Sequence, residues 1–220
     1  MDAKQLFDNV SQRTSQQTTQ AYSTSFSLGI SYLNPTIKDP IYGIYGFVRF
    51  ADEIVDTFHD YDKKELLEEF RQDTFKAINR GISLNPILNS FQHAINDFNI
   101  DHDLIHTFLD SMEMDLQDVK YTQANYEKYI LGSAEVVGLM CLKIFVIGDE
   151  KLYHKLKPNA MKLGAAFQKI NFLRDVKDDY EDLGRNYFPN VNIANMTNEE
   201  KAEIEADIQS DFDAGYEGIL

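Results

Sequence analysis

Signals that start and stop helices recur at short intervals along this chain. No stretch alternates apolar and polar residues as a half-buried strand would. Asp39-Pro40 reads as an N-cap followed by Pro at the first helical position. Ile41, Ile44, Tyr45, Val48, Ile54, Val55 and Phe58 then follow at helical spacing. Asp62 with Glu65 has the form of a capping box, and Gly81 closes that helix. Asn85-Pro86 opens another, and Asp101 caps the next. Thr122 opens a helix expected to stop at Gly148, and Pro158 opens one expected to stop at Gly184. Thr197 with Glu200 makes a further capping box. The pattern predicts an all-α chain of about eight helices with short loops. There is no internal repeat and no low-complexity segment. The Gly/Pro/Asn-rich stretch from Gly184 to Asn195 has charged motifs on both sides, so residues 1–220 are expected to form one domain.

Composition narrows the function. The chain has 220 residues, 43% of them hydrophobic, which is enough for a sizeable core. Its 21 basic and 36 acidic residues give a net charge of −15. That balance argues against nucleic acid, whose phosphates call for a basic footprint. It also argues against electrostatic docking on an anionic membrane. A small anionic ligand stays compatible, because a divalent cation can invert the local charge. Cys141 is the only cysteine, which excludes an intrachain disulfide and a Cys-rich zinc site. The polar start, MDAKQLFDNVSQRTSQQTTQ, has no signal-peptide apolar core. The longest apolar run, Val136 to Ile147, contains Lys143 and is shorter than the ~20 residues of a membrane span. The expectation is a cytoplasmic protein without a transmembrane segment. The five histidines, His59, His93, His102, His106 and His154, show no ligand spacing.

Two carboxylate pairs carry the chemistry. In RFADEIVD, Asp52 and Asp56 lie four residues apart, with Arg49 three before Asp52. Side chains at that spacing share a helix face, and two like charges there cost about 0.2–0.5 kcal/mol. A cation between them removes the penalty. RDVKDD repeats the device with Asp175, Asp179 and the adjacent Arg174. Gln168, Asn171, Asp175 and Asp179 step by three, four and four, tracing one polar stripe. The other positions of that helix are largely apolar, among them Phe167, Ile170, Phe172 and Val176. A helix apolar nearly all round is normally buried, so the stripe is expected to face a cavity holding a charged ligand. Mg²⁺ takes one or two protein carboxylates and completes its shell with waters and substrate phosphates. Arg49, Arg174 and Arg185 suit the outer oxygens of a diphosphate. Asp178, Glu181 and Asp182 read as solvated surface or outer shell.

These residues, with SFSLGI, SMEMDL, YILGSAEVVG and FQKINFLRDVKDDYEDLGRNYFP, resemble the squalene/phytoene synthase family, in order from about Ser25 to Pro189. The bacterial phytoene synthases are the nearest in pattern. The resemblance implies an all-α isoprenoid-synthase-type bundle around a central cavity, and head-to-head prenyl transfer. It implies that Asp52, Asp56, Asp175 and Asp179 bind Mg²⁺, or Mn²⁺ in its place, with diphosphate. Tyr45 and Arg49 join them as catalytic residues. Ser25, Ser27, Gln168, Asn171, Arg174, Arg185 and Tyr187 fall where relatives contact diphosphate. Asp115 falls at the cavity edge, and Tyr129, Ser133 and Gly138 on the prenyl channel. Tyr129 and Gly138 read equally well as core packing, and Ser25 as a plain helix cap.

The implied reaction condenses two prenyl diphosphates through a cyclopropylcarbinyl diphosphate, with two geranylgeranyl diphosphates giving phytoene for carotenoid biosynthesis. A dehydrosqualene or squalene synthase acting on farnesyl diphosphate is the alternative, with NADPH needed only for squalene. A non-catalytic paralogue is a further reading, as is a terpene cyclase or head-to-tail transferase. Contact with a membrane surface for product release fits a greasy product. Family members continue into further C-terminal helices, so this chain is expected to lack the helices that close the cavity.

Overall fold

A computed structural model describes residues 2–117, 122–181, 186–189 and 191–220, without the side chains of 177–181. The described residues hold α-helices, one π-helical turn and one 3₁₀ turn, and no strand. They divide into two compact units, one of residues 1–102 with 143–150, the other of 103–142 with 151–220.

The first unit contains α1 (Ala3–Tyr22), α2 (Thr24–Ser31), α3 (Pro35–Asp56), α4 (Lys63–Arg80) and α5 (Pro86–Asp97). Helix α1 lies in the polar N-terminal stretch, where the pattern predicted nothing. An Asp2/Gln5 capping box starts it. It packs through hydroxyls rather than hydrocarbon: Ser11, Ser15 and Thr19 are buried one turn apart. Against α5, Asn89 Nδ2 donates to Ser11 Oγ and Asp8 Oδ1, both at 3.1 Å.

Helix α3 starts earlier than expected. Asn34 is its N-cap, accepting from Thr36 N at 3.0 Å, and Pro35 takes the first position. Pro40 therefore lies inside the helix rather than at its start. It removes only one i→i−4 donor, and Asn34-Pro35 supplies the stronger start. Helices α4 and α5 follow the predicted signals. Asp62 caps α4, Gly81 ends it in the left-handed region at φ 68°, and Asn85 caps α5 through Ile87 N and Leu88 N. Phe47 of α3 stacks on Phe91 of α5 at 3.9 Å and on Phe70 of α4 at 5.5 Å, which centres this core.

The second unit takes most of α6 (His102–Met114), α7 (Gln123–Ile130), a π turn (Leu131–Glu135) and most of α8 (Val136–Phe145). It also has nearly all of α9 (Glu150–Glu181) and α10 (Asn198–Glu217). Thr122 caps α7 as predicted, but the run to Gly148 is broken by the π turn and its α-helix ends at Phe145. Helix α9 begins at Glu150, eight residues before its predicted start, and Pro158 sits inside it. The Thr197/Glu200 capping box opens α10. Glycines allow three close crossings here. A Cβ on Gly138 would stand 2.9 Å from the Ala160 carbonyl of α9. One on Gly164 would meet the Ala134 carbonyl at 2.8 Å, and one on Gly215 the Leu163 backbone at 2.8 Å. An aromatic core of Tyr126, Tyr129, Phe172, Tyr187 and Phe188 fills the space between α7, α9 and the segment after it.

Candidate active site

Helix α3 sets one part of the site. Asp52, Asp56, Tyr45 and Arg49 lie along it, all half-buried. The Arg49 guanidinium pairs with Glu53, one turn on, rather than with the two aspartates alone. It also lies over the Tyr22 ring, 4.3 Å from its centroid. Burial pulls the Arg49 pKa down, but the bond to Glu53 outweighs that and leaves it raised. Arg49 Nε is buried and has no hydrogen-bond partner among the described residues. Such a donor normally has one, so an acceptor is missing from its surroundings. Burial raises the pKa of Tyr45, which hydrogen-bonds Ser23 and packs on Phe26 at 5.7 Å.

The serine motif is placed differently from expectation. Ser23, not Ser25, caps α2, accepting from Phe26 N at 3.2 Å. Ser25 is exposed, with its hydroxyl 3.5 Å from that of Ser23. Ser27 Oγ is buried without a partner among the described residues, a second unsatisfied polar atom in this unit's part of the site.

In the second unit, Tyr129 donates to Asp115 Oδ2 at 2.6 Å, which joins the SMEMDL and YILGS motifs. Tyr187 stacks on Phe172 at 4.2 Å and lies 5.3 Å from the Tyr129 ring. Tyr129 and Tyr187 thus belong to the packed aromatic core, the packing alternative for Tyr129, and Asp115 is tied to it. Ser133 sits in the π turn with Oγ buried and unpartnered. Gly138 serves the close crossing of α8 and α9, the packing alternative weighed for it. On α9, Gln168, Asn171 and Asp175 are all half-buried along one stripe. Arg174 grips Asp175 with both arms, Nε to Oδ1 at 2.7 Å and a terminal nitrogen to Oδ2 at 2.5 Å. The helix is not buried all round as expected: Phe167 and Ile170 are 46% and 41% exposed. Asp179 and Arg185, with Asp178, Glu181 and Asp182, fall outside the described side chains.

Sequence reasoning missed Tyr22, Ser23 and Glu53. Glu53 was legible, standing four residues after Arg49. Tyr22 and Ser23 come from another helix and needed the fold. Cys141 has no place in the chemistry, since burial pushes its thiol up to about 12.

Among the described residues no three His, Cys, Asp or Glu side chains gather into a ready-made metal cage. The hard oxygen donors present still fit Mg²⁺, which needs only one or two carboxylates from the protein. Asp52 and Asp56 supply two, one helical turn apart on a half-buried face.

The squalene/phytoene synthase family profile matches residues 19–214, and the chain belongs to that family. It is 30% identical to the presqualene diphosphate synthase of Sinorhizobium fredii over 196 residues, covering 85% of this chain and 66% of that one. It is 28% identical to the 4,4'-diapophytoene synthase of Staphylococcus haemolyticus, over 86% of this chain and 66% of that one. For the phytoene synthase of Pseudescherichia vulneris the identity is 27%, over 79% and 58%. The chain thus spans two thirds or less of the length of these relatives. In fold it resembles a dehydrosqualene synthase at TM-score 0.82 and 20% identity, over 98% of this chain and 79% of that one. The squalene synthase of Alicyclobacillus acidocaldarius gives TM-score 0.82 at 20% identity, over 96% and 84%. No helix among the described residues is long and apolar enough to cross a membrane.

Proposed function

We propose that this chain carries the site of a head-to-head prenyl transferase, which condenses two prenyl diphosphates through a cyclopropylcarbinyl diphosphate. The observation that carries the reading is the α3 face. It holds two half-buried carboxylates one turn apart, beside an arginine with a buried nitrogen that lacks an acceptor. That is a binding face for a diphosphate and its counter-ions.

In this reading Asp52, Asp56, Asp175 and Asp179 hold Mg²⁺. When bound, it neutralises the diphosphate and stabilises it as a leaving group. Arg49 and Arg174 pair with diphosphate oxygens as bidentate donors, and Arg185 adds a third cation. Ser25, Ser27, Gln168 and Asn171 supply neutral hydrogen bonds. Tyr45 places its phenol beside Arg49 and Ser23, where a departing diphosphate oxygen can take a hydrogen bond. In this reading the cluster of Tyr129, Phe172 and Tyr187 supplies aromatic faces and excludes water beside the prenyl chains, which protects a carbocation. Asp115 fixes the Tyr129 ring through its hydroxyl. Ser133 and Gly138 line the same side. We read 1–220 as one helical domain of this type, cytoplasmic, meeting a membrane surface only to release product.

Two geranylgeranyl diphosphates giving phytoene is the leading reaction. The second reading is farnesyl diphosphate giving a thirty-carbon product. It is favoured by 30% identity to the presqualene diphosphate synthases of S. fredii and Zymomonas mobilis. Incubation with Mg²⁺ and either substrate, with and without NADPH, tests both. Diphosphate release and the extracted hydrocarbon are measured. Phytoene from the twenty-carbon substrate supports the first reading. Presqualene diphosphate, dehydrosqualene or squalene moves the assignment to the second. Binding of diphosphate with Mg²⁺ but no product from either substrate marks a non-catalytic relative.

A further inference from the structure

A charged cluster lies between α9 and α10, on a different face of α9 from its polar stripe. Lys169 Nζ donates to Asp211 Oδ2 at 2.7 Å and to Asp207. Lys162, two turns earlier, donates to Asp211 Oδ1 at 2.6 Å. Lys169 and Asp211 are the buried members, with side chains 10% and 5% exposed. Lys162 and Asp207 reach solvent at 52% and 59%. Glu135 of the π turn feels the same cluster: burial raises its pKa against the pull of Lys162 and Lys169. None of these residues belongs to the diphosphate site proposed above.

The contacts run in antiparallel order. Gly218 meets Asn159, Gly215 meets Leu163, and Asp211 spans Lys162 and Lys169. Asn159 Nδ2 also donates to the Ala214 carbonyl at 2.7 Å. The glycine contacts set how close the helices come. They constrain rotation little, because a contact with a missing side chain has no direction. The lysine–aspartate bonds are directional, and buried ion pairs are best attested as devices that fix register. Lys169 is also the last such point before Asn171 and Asp175. At about 100° per residue it lies about 100° round the helix from Gln168. A small rotation of α9 about its axis would therefore swing the stripe as a whole.

We infer that the Lys169–Asp211 pair, buried between α9 and α10, fixes the rotation of α9 and thereby aims Gln168, Asn171 and Asp175. Both are positioning residues for the metal-diphosphate site, and the inference rests on the functional reading given above.

The test uses the whole chain with Mn²⁺ and inorganic diphosphate. Bound Mn²⁺ is read from the loss of the free-ion electron paramagnetic resonance signal, beside thermal melts by circular dichroism. The variants are Asp211→Asn, Lys169→Met and the double change Lys169→Leu/Asp211→Leu. The single variants each strip a buried charge of its buried partner, leaving Lys169 only the exposed Asp207 or Asp211 only the exposed Lys162, and melt lower. The double variant replaces the pair with hydrocarbon and keeps or raises the melting temperature. All three are expected to bind Mn²⁺ about tenfold more weakly, the lower end of the loss seen when outer-shell support of a metal site is removed. A double variant that melts like the unmutated chain and binds Mn²⁺ equally well overturns the inference, because the pair is then only structural. No diphosphate-dependent Mn²⁺ binding by the unmutated chain sinks the functional reading, and this inference with it.

Discussion

The arginines of the two aspartate motifs are held in opposite ways. On α3, the Arg49 side chain is 28% exposed, paired with a Glu53 that is 13% exposed, and covered by the Tyr22 ring. On α9, the Arg174 side chain is 66% exposed and pairs with its own neighbour, Asp175, at 42%. The first arginine is held by residues outside the aspartate pair, Glu53 and Tyr22. The second grips the aspartate it flanks, so a ligand that takes both arms of Arg174 must compete with Asp175. An exposed pair of this kind is worth little and is screened by salt. Sequence spacing alone makes the motifs look equivalent. The fold half-buries one arginine and exposes the other.

The comparison can be tested at several depths. Asp52→Asn and Asp175→Asn should each reduce diphosphate release to background while helicity by circular dichroism stays unchanged. Substantial turnover in either variant would remove that motif from the metal site. Next come the arginines. Arg49→Lys loses the planar fork and the ring stacking. A hydrogen bond to a charged group is worth about 1.5–3 kcal/mol, so kcat/KM should fall about 10- to 100-fold. Arg174→Lys should cost only about fivefold or less, because an exposed, screened pair contributes about 0–1 kcal/mol. Equal losses would mean that the two arginines differ in this structure but not in function.

Stability should follow the same order. Arg49→Met strands a nearly buried Glu53 and should lower unfolding free energy by about 1–3 kcal/mol in urea melts. Arg174→Ala should change it by about 0.5 kcal/mol at most. A comparably small effect is expected for Tyr22→Leu. A cation–π contact at an exposed site is worth about 0.5–1 kcal/mol, so KM should rise two- to fivefold with kcat unchanged. A fall in kcat instead would place Tyr22 at the reacting centre.

Much of this was legible in the chain. Gly81, Asn85-Pro86, Thr122 and Thr197 with Glu200 marked helix ends correctly, because each acts through its nearest backbone neighbours. Pro40 and Pro158 mislead for one reason: each reads as a helix start from its neighbours, yet each lies inside a helix that begins earlier. Nothing local marks the π turn, whose Gly132 lies close against Ser111 and the Thr107 carbonyl of α6. In the site, the carboxylates and arginines could be read from spacing within one helix. The Tyr22 and Ser23 contacts, the Tyr129–Asp115 bond and the Lys169–Asp211 pair each join residues from different elements, which periodicity does not connect.

The hydroxyl face of α1 has a thermodynamic consequence. Ser11 and Thr19 bond back to carbonyls one turn earlier, at 3.1 and 2.9 Å, and present little hydrocarbon to α3 and α5. Exposing apolar surface raises heat capacity by about 0.45 cal/K/mol per Å², while exposing polar surface lowers it by about 0.26. On α1 the polar contribution offsets part of the apolar one. The release of this helix should leave a smaller step in heat capacity than its length alone suggests. The stacked Phe47, Phe70 and Phe91 a few ångströms away should show the full curvature of a hydrophobic core.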